Sequence, residues 1–270
     1  MEITIERDVR FGTGGGRDLH CNIHRPADQL GKDAALVFFH GGGFVAGNKN
    51  SIDARVGVFA ELGYVCIAAE YRLATEAKWP AQINDAKACI RWTRANAGAL
   101  GIDPDRIGVV GFSAGGLLSL VVAGAPDNAE LEGDGGNESV SSKVATCFAY
   151  YPAVNLSTQH PLTPEADPEA DIAAFRTQSS PHTYVSAAWP PTVLFHGTED
   201  ITIPLESSAD FFNELRAAGV AAELHAIQGV PHAFDRHVEL GQACAMLGDL
   251  FLDRHVITPR TYPPFQSGER

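Results

Sequence analysis

No stretch of the chain is apolar over anything like the ~20 residues that cross a bilayer, and the longest apolar runs are short and broken by glycine or polar residues. The opening, Met1-Glu2-Ile3-Thr4-Ile5-Glu6-Arg7-Asp8, lacks a basic segment followed by an apolar core, so no signal peptide is expected. Positive charge is scarce: Lys+Arg is 20 against Asp+Glu 33, a formal net charge of −13. That balance repels phosphate backbones and anionic lipid, so neither nucleic acid nor membrane is an expected partner. The five cysteines are widely spaced and odd in number, and Cys66, Cys89, Cys147 and Cys244 sit inside apolar runs. They read as reduced, buried thiols of a cytoplasmic protein, although a secreted protein whose leader was replaced by a start Met would read the same way. There is no internal repeat and no linker rich in Gly, Ser or Pro. With 270 residues and 45% hydrophobic composition, one domain spanning 1–270 is expected. It buries roughly 75% of the surface of its unfolded chain and needs no disulfide or metal to hold it.

What is present is an alternation of short apolar runs with longer helical ones. Strands are expected at Ile3–Phe11, Leu19–His24, Ala35–His40, Val65–Tyr71, Ile107–Phe112, Cys147–Val154, Thr192–His196 and Ala222–Ile227. The central runs, such as Leu36-Val37-Phe38-Phe39, are apolar throughout, as in a parallel sheet covered on both faces; the first two alternate more, as antiparallel edge strands do. Helices are expected at Ser51–Leu62, Pro80–Asn96, Leu205–Ala218 (stopped by Gly219) and Cys244–His255. The fold class is therefore α/β, with a mostly parallel central sheet flanked by helices. Two stretches interrupt the pattern: the polar Ala125–Ser142, and the proline- and acid-rich Ser157–Pro190, which reads as a small lid or insertion. The tail Thr258–Arg270 reads as extended over the surface.

The strongest chemical signal is Gly111-Phe112-Ser113-Ala114-Gly115, a G-x-S-x-G between the apolar run Ile107–Val110 and the helix-like Leu117–Val122. A serine on so sharp a strand-to-helix turn is strained, and side chains two residues before and after would clash with neighbouring backbone. The turn lifts the Ser113 hydroxyl above the sheet edge at the positive end of a helix. A second signal, His40-Gly41-Gly42-Gly43-Phe44, follows the run Leu36–Phe39. Consecutive glycines let backbone N–H groups converge on one oxygen, as the tetrahedral intermediate of acyl transfer requires, and each such donor is worth roughly 3–4 kcal/mol. The N–H groups of Gly42, Gly43 and Ala114 are the expected oxyanion hole. A phosphate loop is the competing reading, but neither G-x-x-x-x-G-K-[ST] nor G-x-G-x-x-G is present. His40 reads as a residue bonding its own loop.

A nucleophilic serine needs a base, and the base an orienting acid. Downstream of Ser113, Thr192–His196 runs into a loop carrying Glu199 and Asp200, either of which could be the acid. The loop after the last strand, Gly229-Val230-Pro231-His232-Ala233-Phe234, offers His232 as the base. His225 lies within that strand, and His237 and His255 on expected helical surface.

The residues carry a resemblance. HGGGF (40–44), GYVCIAAEYRLATEAKWP (63–80), DAKACIRWTRANAGALGIDPDRIGVVGFSAGG (85–116), HGTED (196–200) and GVPHAF (229–234) resemble α/β-hydrolase-fold serine esterases, of the acetyl and feruloyl esterase-like and hormone-sensitive-lipase-like branches. The similarity runs from about residue 17 to about residue 255. It implies a Ser113–Asp200–His232 triad, with Asp200 rather than Glu199 as the acid, no cofactor, and hydrolysis of carboxylic esters. Two departures matter. Tyr71-Arg72-Leu73-Ala74-Thr75-Glu76 replaces the usual YRLAPE, and the residues before His40 read mostly as strands, so no large N-terminal cap is expected. The expected substrates are short-acyl esters, such as acetyl esters of small alcohols or sugars. A peptidase or feruloyl esterase on the same fold, or a non-catalytic ligand receptor, are the alternatives. The expected partner is a small-molecule ester, and a homo-oligomer stays open.

Phe44, Trp79, Tyr151 and Phe234 are the candidate walls of a substrate pocket. His20 and His24 share a strand face, but no third ligand follows at sensible spacing, so no metal is expected. Glu165, Asp167, Glu169 and Asp171 read as a solvated loop, lacking the spacing of a calcium site.

Overall fold

Eight short runs rich in β-branched and aromatic residues pair into one sheet: β1 (Thr4–Gly14), β2 (Arg17–Arg25), β3 (Ala35–Phe39), β4 (Val65–Ala69), β5 (Ile107–Phe112), β6 (Thr146–Tyr150), β7 (Thr192–Gly197) and β8 (Ala222–Ile227). The structure, a computed structural model, describes residues 3–27, 31–156, 160–163 and 170–263, with 170 and 171 described through their backbone only. Glu165, Asp167 and Glu169, the side chain of Asp171, much of the first half of segment 157–190 and the last seven residues of the tail lie outside the described residues.

The strand order is β1-β2-β4-β3-β5-β6-β7-β8. The β1–β2 and β2–β4 pairs are antiparallel, and every pair from β4 to β8 is parallel. Alternation along the central strands sends side chains to two cores. On one face, Val37, Phe39, Val109 and Leu194 pack with Ile83 and Ile90 of α2 (Ala81–Ala95). Leu117 and Val121 of α4 (Ala114–Gly124) join the same layer; α3 (Ala97–Leu100) is a single turn after α2. On the other face, Phe38, Phe112, Phe148 and Phe195 pack with Val56 and Phe59 of α1 (Asp53–Glu61) and Phe251 of α7 (Val238–Leu252). Burial on both faces explains why these strands carry no polar alternation. With both faces of a mostly parallel sheet covered by helices, this is the α/β-hydrolase fold.

Among the differences from the sequence reading, which include β1 running on to Gly14 and β4 stopping at Ala69, three are the largest. The run expected to continue as strand to Val154 stops at Tyr150, because Tyr151 takes φ 38° and leaves the sheet plane. The last helix begins at Val238, not Cys244, its early turns being too exposed to show an apolar stripe. Within 157–190, helix α5 (Ala170–Gln178) was not expected; it seats Phe175 against Trp79 with ring centroids 6.3 Å apart. Helix α6 (Leu205–Ala217) ends as expected at Gly219, whose φ of 81° lets Val220 N–H close on Leu215 C=O at 3.0 Å. Among the described residues, no helix is long and apolar enough to cross a membrane.

Candidate active site

Ser113 stands between the end of β5 and the start of α4 with φ 56° and ψ −115°, a conformation costing roughly 1–3 kcal/mol for a residue with a side chain. The surroundings impose it: Ser113 N–H donates to Tyr150 C=O at 2.9 Å, and Ser113 C=O accepts from Leu117 N–H at 3.1 Å. The flanking glycines are steric requirements. A Cβ on Gly111 would lie 1.9 Å from Gly115 O, and one on Gly115 would lie 2.2 Å from Phe39 O.

The loops after β7 and β8 bring two more side chains to this turn. His232 Nε2 lies 3.0 Å from Ser113 Oγ, and His232 Nδ1 lies 2.6 Å from Asp200 Oδ2. A carboxylate oxygen only accepts, so Nδ1 carries the proton and Nε2 presents its lone pair to the serine hydroxyl. The other oxygen, Asp200 Oδ1, accepts from the N–H groups of Thr202 (2.8 Å) and Ile203 (2.9 Å), which fixes the carboxylate plane. His196 supports the same loop from beneath: its Nε2 donates to Ile203 C=O at 2.9 Å and lies 3.3 Å from Asp200 Oδ2, while its Nδ1 accepts from Ser208 Oγ at 2.8 Å. Burial depresses its pKa, which keeps the ring neutral. Glu199, the other acid considered, is exposed, and its N–H donates to Val230 C=O. Tyr151 completes the wall, its ring edge-on to His232 at 4.5 Å and its hydroxyl bonded to Asp235.

The glycine turn after β3 faces the serine. Val45 and Ala46 N–H both donate to Gly42 C=O at 3.1 Å, closing a tight loop. Gly42 has φ 121°, and a Cβ there would fall 2.1 Å from Ala46 O. Among the described residues, the N–H groups of Gly42 and Gly43 meet no protein acceptor. Ala114 opens α4, so its N–H is one of the donors that a helix start leaves without an intrahelical partner. His40 is buried under this turn, donating from Nδ1 to Gly41 C=O at 2.7 Å and stacked on Tyr71 at 4.3 Å. Tyr71 Oη donates to His40 C=O at 2.8 Å. Burial pushes the His40 pKa down to about 4, so its ring is a neutral brace for the loop.

Ser113 and His232 open onto a cavity of about 450 Å³. Of the four aromatic residues expected on its walls, Tyr151 is there. The other three pack elsewhere. Phe44 is buried against Tyr71 and His160, Trp79 donates from Nε1 to Gln178 Oε1 at 3.2 Å, and Phe234 lies in the core beside Tyr151. Closeness in sequence to a motif fixed where those backbones lie, not where the rings point. The walls missed by sequence reasoning are Arg55, Ser51, Thr202 and Arg236. Their only signal was position beside a motif, in the helix after the glycine turn and in the loops after Asp200 and His232. His20 lies 3.6 Å from Glu70 and His24 lies 3.2 Å from Asp53, so both face acids rather than each other. Among the described residues, no group of three or more His, Cys, Asp or Glu could hold a metal ion.

A strained serine at the end of β5, a histidine and an acid on the loops after β8 and β7, and a glycine turn opposite them place the site in the class of α/β-hydrolase proteins. The family is narrower: a profile described as BD-FAE matches residues 21–215, and the chain belongs to that family. Among relatives, it is 31% identical over 246 residues to "Probable carboxylic ester hydrolase LipM" of Mycobacterium tuberculosis, covering 84% of this chain and 56% of LipM. It thus spans little more than half of that relative's length. Among solved structures, the native thermophilic esterase Est2 of Thermogutta terrifontis superposes with a TM-score of 0.79 at 31% identity, covering 97% of this chain and 95% of that one. The butyrate-bound form of Est2 gives a TM-score of 0.80 at 30% identity, with 96% of each chain covered.

Proposed function

We propose that the chain is a serine carboxylic ester hydrolase acting on short-acyl esters, with Ser113, His232 and Asp200 as its catalytic triad. The observation that carries this reading is the unbroken line of contacts from Asp200 Oδ2 through both His232 nitrogens to Ser113 Oγ. Ser113 Oγ attacks the ester carbonyl as His232 Nε2 takes its proton, and the carbonyl π electrons move onto oxygen. The N–H groups of Gly42, Gly43 and Ala114 receive that oxyanion. Collapse breaks the C–O bond to the alcohol, which leaves with the proton from His232. Water, deprotonated by the same ring, then releases the acid and restores the serine. Asp200 holds Nδ1–H throughout and stabilises the imidazolium.

Short acyl groups are favoured by the likeness to an esterase solved with butyrate bound. The 450 Å³ cavity has room for a small-molecule ester. The chain works as one domain in the cytoplasm on this reading, consistent with five free cysteines, all buried. The test is p-nitrophenyl ester hydrolysis across acyl lengths of about two to twelve carbons. Activity should peak at the short end and fall by on the order of 10⁶ in Ser113→Ala. Equal rates in the two proteins would refute the catalytic assignment.

A further inference from the structure

A second cavity of about 370 Å³ adjoins the one at Ser113, and the two share Ser51, Arg55, Phe112 and Arg236 as walls. Beyond that boundary its lining is largely apolar, from Ala54, Val58 and Phe59. The two arginines on the boundary differ in kind. Arg55 is tied down: it pairs with Asp235 at 3.2 Å, donates to Ser51 C=O at 3.3 Å and lies over the Phe112 ring at 4.2 Å. Asp235 is buried, and it also accepts from Tyr151 Oη, so its charge is offset inside the protein. Arg236 is exposed, and among the described residues its guanidinium has neither an ion pair nor a hydrogen bond. The local sum of Arg55, Asp235 and Arg236 is one net positive charge, on a chain whose overall charge is −13. Such a spot draws in anions that the rest of the surface repels.

Chemistry fixes which part of the ester faces this boundary. The departing alcohol oxygen must lie within reach of His232 Nε2 to be protonated, so the alcohol portion leaves on the side of the loop bearing His232. Ala233 and Arg236, the next wall residues along the chain, line that side. We propose that the preferred substrates are esters whose alcohol portion combines a compact apolar group, seated in the second cavity, with a carboxylate or similar anion bound by Arg236. This rests on the esterase reading above and names its substrate class.

The test compares 3-(acetoxymethyl)benzoate with 3-(acetoxymethyl)benzamide, which match in shape and differ in charge. The readout is the ratio of their kcat/KM values, taken within each protein so that any change in basal rate cancels. At low ionic strength the wild type should favour the carboxylate about fivefold or more, and added salt should shrink the ratio. R236M should bring the ratio near one and R236E should bring it below one. A wild-type ratio of one, or an unchanged ratio in R236M, overturns the proposal while leaving the esterase reading intact. A charge preference seen only on the acyl side, in mono-p-nitrophenyl glutarate against p-nitrophenyl valerate, overturns the assignment to the alcohol. No turnover of either benzyl ester while p-nitrophenyl acetate is hydrolysed overturns this substrate class alone, and no turnover of p-nitrophenyl acetate sinks both readings.

Discussion

The ring of Tyr151 stands edge-on to the imidazole of His232, centroids 4.5 Å apart, while its hydroxyl is anchored on Asp235. One residue thus ties the histidine loop to the end of β6, and its positive φ of 38° is what turns it there. Removing the hydroxyl alone leaves a buried carboxylate short of a partner. Tyr151→Phe should therefore lower unfolding stability by about 1–3 kcal/mol, read by urea denaturation, with a small effect on kcat. Tyr151→Ala removes the wall of the imidazole and should lower kcat on p-nitrophenyl acetate by about 10²-fold, as a misplaced base does.

The two neighbouring acids should separate cleanly. Asp200 is bonded to His232 and to two backbone N–H groups, whereas Glu199 is exposed. Asp200→Asn keeps the shape but favours the wrong imidazole tautomer, so kcat should drop by on the order of 10⁴. Glu199→Gln should stay within twofold of wild type. Comparable losses in the two variants would contradict the assignment of roles.

Acid should destabilise the protein through His40, beginning at a pH above the ordinary carboxylate range. Its folded pKa is about 4 against an ordinary value of 6.5, so the unfolded state binds the proton first. Stability is therefore complete above about pH 6.5 and falls as the pH drops toward 4, by up to about 3 kcal/mol from this group. His24, His196 and His225 are depressed by burial as well and act in the same direction. Urea midpoints measured between pH 7 and pH 4.5 should show a shallower acid slope in His40→Gln than in wild type. Parallel slopes would mean that the imidazole is not held neutral.

The glycine turn should tolerate no side chain at its centre. The added carbon of Gly42→Ala would meet Ala46 O at 2.1 Å with φ at 121°, so the turn must open. A displaced donor should cost roughly 10²–10³ in kcat on p-nitrophenyl acetate. A near-wild-type rate in a folded Gly42→Ala protein would remove this turn from the oxyanion role.

Much of this arrangement was legible because its constraints are local. The five central strands, β3 to β7, were visible as apolar runs, since burial on both faces leaves no room for polar residues, while the more exposed β1 and β8 carry polar residues as sheet edges do. Ser113 and His232 stood out because each follows a strand, where a loop carries it to the sheet edge, whereas Asp200 was separated from the adjacent Glu199 by the family resemblance alone. Helix α5 was hidden in a proline- and acid-rich stretch, and the start of α7 at exposed residues such as Val238 and Glu239, where no apolar periodicity marks a helix. The directions of Phe44, Trp79 and Phe234 depend on partners far along the chain, His160, Phe175 and Tyr151, which no spacing rule reveals. The same holds for Arg55, whose place is set by Asp235, 180 residues away.

The five cysteine thiols have a practical consequence. Each is enclosed, and burial raises the thiols of Cys21 and Cys244 to pKa values of about 12, so almost no thiolate exists at neutral pH. Maleimide or iodoacetamide should leave the native molecule unlabelled. Ile201, 98% exposed beside Asp200, is then a ready place for one added cysteine carrying a fluorophore. Such a dye would report ligand arrival at the cleft in real time, without mutating any of the natural thiols away.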